Sequence, residues 1–117
     1  MVDIFAENDS EKCFIEVKNV TMKDGRYARF PDAVTTRGKK HLKTLMEVKK
    51  LGMRAVMLYV VQRMDVEIFV PARDIDLEYS KTLVEAYNMG VEIIPVQASV
   101  SPESIIISHK MPYKLNI

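Results

Sequence analysis

Apolar and polar positions divide the chain into short, distinct patterns. Val2-Asp3-Ile4-Phe5-Ala6 and Cys13-Phe14-Ile15-Glu16-Val17-Lys18-Asn19-Val20-Thr21 flank a polar stretch from Glu7 to Lys12. Two such stretches around a short polar loop predict a β-hairpin. Lys23-Asp24-Gly25-Arg26 reads as a turn, and Tyr27 to Phe30 as a short extended piece ending at Pro31. Val34, His41, Leu42, Leu45, Val48 and Leu51 recur at three- and four-residue intervals. They predict a helix that begins between Asp32 and Thr36 and stops at Gly52. Thr36, Lys39, Lys40, Lys43, Glu47 and Lys50 fall on its other side. Arg54 to Val61 suits a buried central strand, and Ile68 to Pro71 a second short one. Asp74 or Asp76 opens a second helix to about Met89, with Leu77, Leu83, Val84 and Tyr87 inward and Gly90 past its end. Val91 to Ala98 and Ser104 to Ser108 complete the strands. The order predicts one α/β domain over residues 1–117 with a mixed sheet.

Alternation also sorts the charges. On a strand, Phe14, Glu16, Lys18 and Val20 share one face, and Cys13, Ile15 and Val17 the other. Folding the hairpin about Asp9-Ser10 sets Phe5 opposite Phe14 and Asp3 opposite Glu16. Opposed carboxylates sit roughly 5 Å apart at Cβ and repel unless a cation lies between them. Asp3, Glu16 and the carbonyl of Val17 therefore form a candidate oxygen-ligand site for Mg²⁺ or Mn²⁺. Lys18, one step along, would orient or deprotonate a water, or stabilise phosphate charge. A solvated Glu-x-Lys face with a weak ion pair is the alternative, and both readings stand on spacing alone.

Composition narrows the setting. The chain has 117 residues, 48% of them hydrophobic and 28% charged, the balance of a globular domain. Its longest apolar run, Ala55 to Val61, is far short of the roughly 20 residues a membrane helix needs. One cysteine, Cys13, and the lack of a basic-then-apolar leader predict a reducing, cytoplasmic setting without a membrane partner.

The net charge of +1 hides an uneven distribution. Lys23 to Arg54 carries ten Lys/Arg against three Asp/Glu, and Asp65 to Glu92 carries seven acids against two bases. Thr36, Arg37, Lys39, Lys40 and Lys43 gather at the start of the first helix, where free N–H groups favour phosphate. They are candidate contacts to a nucleic-acid backbone, the alternative being a solvated helix face. Asp32 either caps the helix or reaches toward the cation. Gln62, at the end of the apolar strand, is a candidate accessory residue. His41 reads as a packed histidine.

Phe14 to Thr21, Phe30-Pro31-Asp32-Ala33-Val34-Thr35 with Arg37-Gly38 and His41-Leu42, Arg54-Ala55-Val56 with Val60 to Arg63, and Phe69 to Ala72 with Asp74 to Tyr79 stand in order. Together they resemble the sugar fermentation stimulation protein A family over nearly the whole chain. The resemblance implies a restriction-endonuclease-like core of the PD-(D/E)xK type. Asp3 then stands as the first acid and Glu16-Val17-Lys18 as the (D/E)xK element. It implies DNA binding without strong sequence preference, a link to regulation of sugar (maltose) metabolism, and metal-dependent phosphodiester hydrolysis. The alternatives are a non-catalytic DNA-binding regulator and an inert truncated fragment. Members of the family carry an N-terminal OB-like domain, and the core has a helix before the first Asp strand. This sequence reads as the C-terminal portion, and the sheet face left uncovered predicts self-association into a homo-oligomer.

Overall fold

The computed structural model describes residues 4–7 and 12–115. Its elements run β1 (Ile4–Glu7), β2 (Lys12–Val20), β3 (Met22–Asp24), β4 (Tyr27–Phe30), α1 (Thr36–Lys50), β5 (Arg54–Val61), β6 (Ile68–Pro71), α2 (Leu77–Asn88), β7 (Glu92–Val100) and β8 (Ile105–Lys110). Every expected strand and helix is present, within a few residues of its expected bounds. A five-stranded sheet has the order β1-β2-β5-β7-β8. β2, β5 and β7 are parallel, and β1 and β8 are antiparallel at the edges. This is the mixed sheet the sequence predicts.

A second sheet, β3-β4-β6, is not evident from the apolar pattern. Met22-Lys23-Asp24 has too little apolar content to read as a strand. It nevertheless pairs with β4 across the two-residue turn Gly25-Arg26, where Gly25 takes φ 62°. β6, wholly buried, lies parallel to β4. The chain end adds to its other edge, with Phe69 N–H donating to Pro112 O and Lys114 N–H to Phe69 O.

The chain steps from β2 to β5 to β7 in one direction across the large sheet. Right-handed crossovers then put both helices on the same face. The packing agrees, since Leu42, Leu45 and Leu83 of the helices share one core with Ala55, Met57, Tyr59 and Val61 of β5. On the opposite face Val17, Leu58 and Ile94 surround Val60, Val96 and Ala98, and among the described residues that cluster holds strand residues only. β8 stands at the edge with Ile105, Ile106 and Ile107 all exposed.

The helices need three corrections. Thr35, rather than Asp32, caps α1: its hydroxyl accepts from Gly38 N–H at 2.9 Å, while Asp32 is exposed. Val34 and Leu51, expected inward, are 72% and 75% exposed because they flank the helix rather than lie in it. In α2 the buried face is Tyr79, Ser80, Thr82, Leu83 and Ala86, and Leu77 and Tyr87 are exposed. Ser80 and Thr82 tolerate burial because each hydroxyl donates to a carbonyl of its own helix, Asp76 O and Glu78 O.

The two helices start against each other. One carboxylate, Asp76, caps α2 by accepting from Tyr79 N–H at 3.0 Å and also takes Thr35 N–H at 2.8 Å. Gly38 permits this approach. A Cβ there would stand 2.8 Å from the Thr35 methyl and 3.1 Å from the Tyr79 ring. Gly38→Ala, which gains about 1 kcal/mol of helix propensity in isolation, is therefore expected to destabilise the fold by about 1–3 kcal/mol through overpacking. Urea unfolding of the two proteins measures the sign, and a stabilised alanine variant would refute the packing argument.

An aromatic cluster joins the layers. Tyr59 of β5 stacks on Phe69 of β6 with centroids 4.3 Å apart, and Phe30 of β4 lies against both Tyr59 and Tyr79. The Tyr59 and Tyr79 hydroxyls hydrogen-bond to each other at 2.6 Å in the interior. Burial pushes both hydroxyls above the usual tyrosine range, and the Glu16 and Asp76 charges add to this at Tyr79. A folded-state pKa raised above its unfolded value gives stability that is complete below about pH 10. That stability is lost as pH rises further. Thermal melts between pH 8 and 11 should fall more steeply for this protein than for the Tyr59→Phe/Tyr79→Phe variant. Parallel curves would show that the hydroxyl pair carries no alkaline penalty.

Candidate metal and nucleic-acid site

β2 positions the first residues of the site. It is paired with β5 along its length, so its alternation is fixed, with Glu16 beside Met57 and Lys18 beside Tyr59. Glu16 and Lys18 face the helices, and Val17 faces the opposite side, as the alternation requires. The expected hairpin register also holds in the described part, with Phe5 opposite Phe14 and Ile4 opposite Ile15. Asp3, the expected second acid, lies outside the described residues.

Glu16 is 1% exposed and Lys18 18%. Burying a carboxylate costs several kcal/mol unless charged or hydrogen-bonding groups compensate. Two groups do so here. Lys18 Nζ lies 3.4 Å from Glu16 Oε1, and His41 Nδ1 lies 2.7 Å from the same oxygen. Lys18 Nζ and His41 Nδ1 are themselves 2.8 Å apart. The solvated-face reading of Glu16 therefore does not hold, since the acid is inside the protein. His41 is packed, as the sequence suggests, but it packs onto the acid and the amine. The signal for this was present: a histidine in the apolar stripe of α1, and an inward acid on β2 that needs a partner.

Among the described residues there is no group of three or more His, Cys, Asp or Glu side chains able to hold a metal ion. Of the oxygen donors expected from the sequence, the described residues bring the Glu16 carboxylate to the Lys18–His41 cluster, and Val17 follows it on β2. That set fits a hard cation that keeps most of its waters and takes one or two carboxylates. It does not fit a structural zinc site, which takes four protein ligands.

The basic segment lies at the start of α1. Thr36, Arg37, Lys40 and Lys43 are exposed, and Lys39 is half-buried. Four of the other basic residues of the Lys23–Arg54 stretch have acidic partners, whereas Arg26 and Lys49 form no ion pair among the described residues. Lys23 meets Asp65, Arg29 meets both Asp24 and Asp74, Lys50 meets Glu47, and Arg54 makes a two-point contact with Glu92 at 2.5 and 2.9 Å. Among the described residues, Arg37, Lys39, Lys40 and Lys43 form no ion pair. Their charge faces solvent, in the sequence segment that also carries His41.

Asp32 is exposed and lines a small pocket with Asn19, Thr21, Met22, Arg29 and Phe30. Gln62 is half-buried just past β5, its N–H donating to Val20 O. A different glutamine, one the sequence pattern does not single out, has the clearer structural role. Gln97, 5% exposed, donates from Nε2 to Arg63 O and Val66 O, each at 3.0 Å, and so holds the loop after β5. No helix among the described residues is long and apolar enough to cross a membrane.

Residues 1–104 match the family model described as the sugar fermentation stimulation protein RE domain. The chain is 50% identical over 112 residues to a sugar fermentation stimulation protein homolog of Geotalea daltonii, covering 95% of this chain and 48% of the relative. It is 44% identical over 116 residues to the homolog of Syntrophotalea carbinolica, covering 98% and 50%. A solved structure described as Pyrococcus furiosus SfsA in complex with Ca²⁺ superposes with a TM-score of 0.89 at 27% identity, over 97% of this chain and 49% of that one. The chain thus spans about half the length of the relatives it matches.

Proposed function

Starting from the fact that the chain belongs to the sugar fermentation stimulation protein family, we propose that it is a DNA-binding domain with a divalent-cation-dependent phosphodiesterase centre. The buried Glu16–Lys18 pair on one strand face carries this reading, because a hidden carboxylate beside an amine is costly to keep without a use. Glu16 would hold the cation with the Val17 carbonyl and Asp3. Mg²⁺ or Mn²⁺ are the expected ions, and the Ca²⁺ in the Pyrococcus furiosus structure supports a hard divalent ion at this fold. The cation would supply Lewis acidity to a phosphoryl oxygen and acidify a water. Lys18 would orient that water or steady charge on the phosphate. Thr36, Arg37, Lys39, Lys40 and Lys43 would hold the DNA backbone without reading bases. The test is cleavage of plasmid and single-stranded DNA with Mn²⁺ by the wild type and by Lys18→Ala. Equal inertness at high protein concentration would sink the hydrolytic reading.

The solvent-facing charge of α1 favours a second reading on the same scaffold, a non-catalytic DNA-binding regulator of sugar metabolism. It needs no cation. Each phosphate contact contributes about −0.9 to the slope of log K against log salt. The Lys40→Gln/Lys43→Gln variant is therefore expected to bind DNA with a slope shallower by about 2, which fluorescence anisotropy from 50 to 200 mM salt would resolve. An unchanged slope would remove α1 from the DNA interface.

A further inference from the structure

His41 belongs to neither the basic surface nor the oxygen donors, yet it touches both residues of the Glu-x-Lys element. Its Nδ1 is 2.7 Å from Glu16 Oε1 and 2.8 Å from Lys18 Nζ, while those two atoms are 3.4 Å apart. All three meet where exposure is low: 6% for His41, 1% for Glu16 and 18% for Lys18. A space-filling histidine would need only van der Waals contact. Here one ring nitrogen lies within hydrogen-bonding range of an acid and an amine on neighbouring positions of one strand face.

We propose that His41 is a positioning residue, whose Nδ1–H on α1 donates to Glu16 Oε1 and so fixes the carboxylate beside the Lys18 amine. This rests on the reading that Glu16 receives a divalent cation. Strand geometry alone fixes where the two side chains begin. It leaves the ends free to rotate, and Lys18 has a long, flexible stem. The imidazole is carried by a helix whose neighbouring residues Leu42 and Leu45 are wholly buried. A group fixed that firmly can set the direction of the carboxylate it touches, as partners behind metal ligands commonly do.

The experiment measures Ca²⁺ binding to the full chain by calorimetry, with thermal melts as a check on folding. The proteins are the wild type, Glu16→Gln, His41→Leu and His41→Asn. An Asn amide hangs from the same carbon position as Nδ1 and offers a donor and an acceptor there. Loss of the positioning partner is expected to weaken Ca²⁺ binding 10- to 100-fold in His41→Leu. His41→Asn should recover most of that loss, and Glu16→Gln should abolish binding. If the wild type does not bind, or Glu16→Gln binds normally, the cation reading itself fails. If Glu16→Gln abolishes binding but His41→Leu matches the wild type, only the role of His41 is overturned. Equal losses in His41→Leu and His41→Asn would make the imidazole a filler and overturn its positioning role in the same way. Should His41→Leu not fold, the Asn variant decides by itself: near-normal affinity supports the proposal, and a 10-fold or greater loss overturns it.

Discussion

Phe69→Ala is expected to cost about 3–5 kcal/mol, the usual range for emptying a buried aromatic site. Phe69 is fully buried, stacks on Tyr59, and bonds through its backbone to both Pro112 and Lys114. Its ring fills the space where the small sheet, β5 and the chain end meet. The surroundings cannot close that space, because the strands on either side are tied by sheet hydrogen bonds. With roughly 4 °C lost per kcal/mol for a domain of this size, the melting temperature should drop by roughly 12–20 °C. A drop of a few degrees in differential scanning calorimetry would mean that the small sheet is a separate, loosely coupled layer.

Glu16→Gln should separate function from stability. The change keeps shape and removes one buried charge. If the chain is the proposed phosphodiesterase, hydrolysis and Mn²⁺ affinity are expected to fall by about three orders of magnitude, since a neutral amide neither attracts the cation nor holds Lys18 as an ion pair. Stability should change by no more than about 1–2 kcal/mol and in either direction, because the desolvation cost of the carboxylate disappears together with its attraction to Lys18. The paired measurements are Mn²⁺-dependent DNA cleavage and urea unfolding. Full cleavage by Glu16→Gln would remove Glu16 from the chemistry. A large loss of stability with cleavage retained would make it a structural acid.

Much of this arrangement was legible in the chain. Two-residue alternation placed Glu16 and Lys18 on one face and Val17 on the other, and a polar loop fixed the pairing of Phe5 with Phe14. Gly52 and Gly90, at φ 86° and 99°, ended the helices where expected. What was not legible depends on neighbours far along the chain. Periodicity marks which residues repeat, so it drew Val34, Leu51 and Leu77 inward although they sit at or beyond helix ends. It could not say that Ser80 and Thr82 would be buried with their hydroxyls bonded to their own helix. It assigned His41 to packing, correctly, but partners 23 and 25 residues away decide what it packs against. The small sheet escaped because its first strand is held by a turn and a neighbour rather than by apolar side chains.

The parallel pairing of β2 with β5 has a consequence for how the molecule is made. Cys13 pairs with Arg54 and Glu16 with Met57, and α1 lies in the segment between them. An emerging polypeptide carries Glu-Val-Lys long before its neighbouring strand leaves the ribosome. Closing that long loop is what brings the three groups together, and it costs chain entropy before any contact offsets it. The centre is therefore expected to form only in nascent chains long enough to include β5.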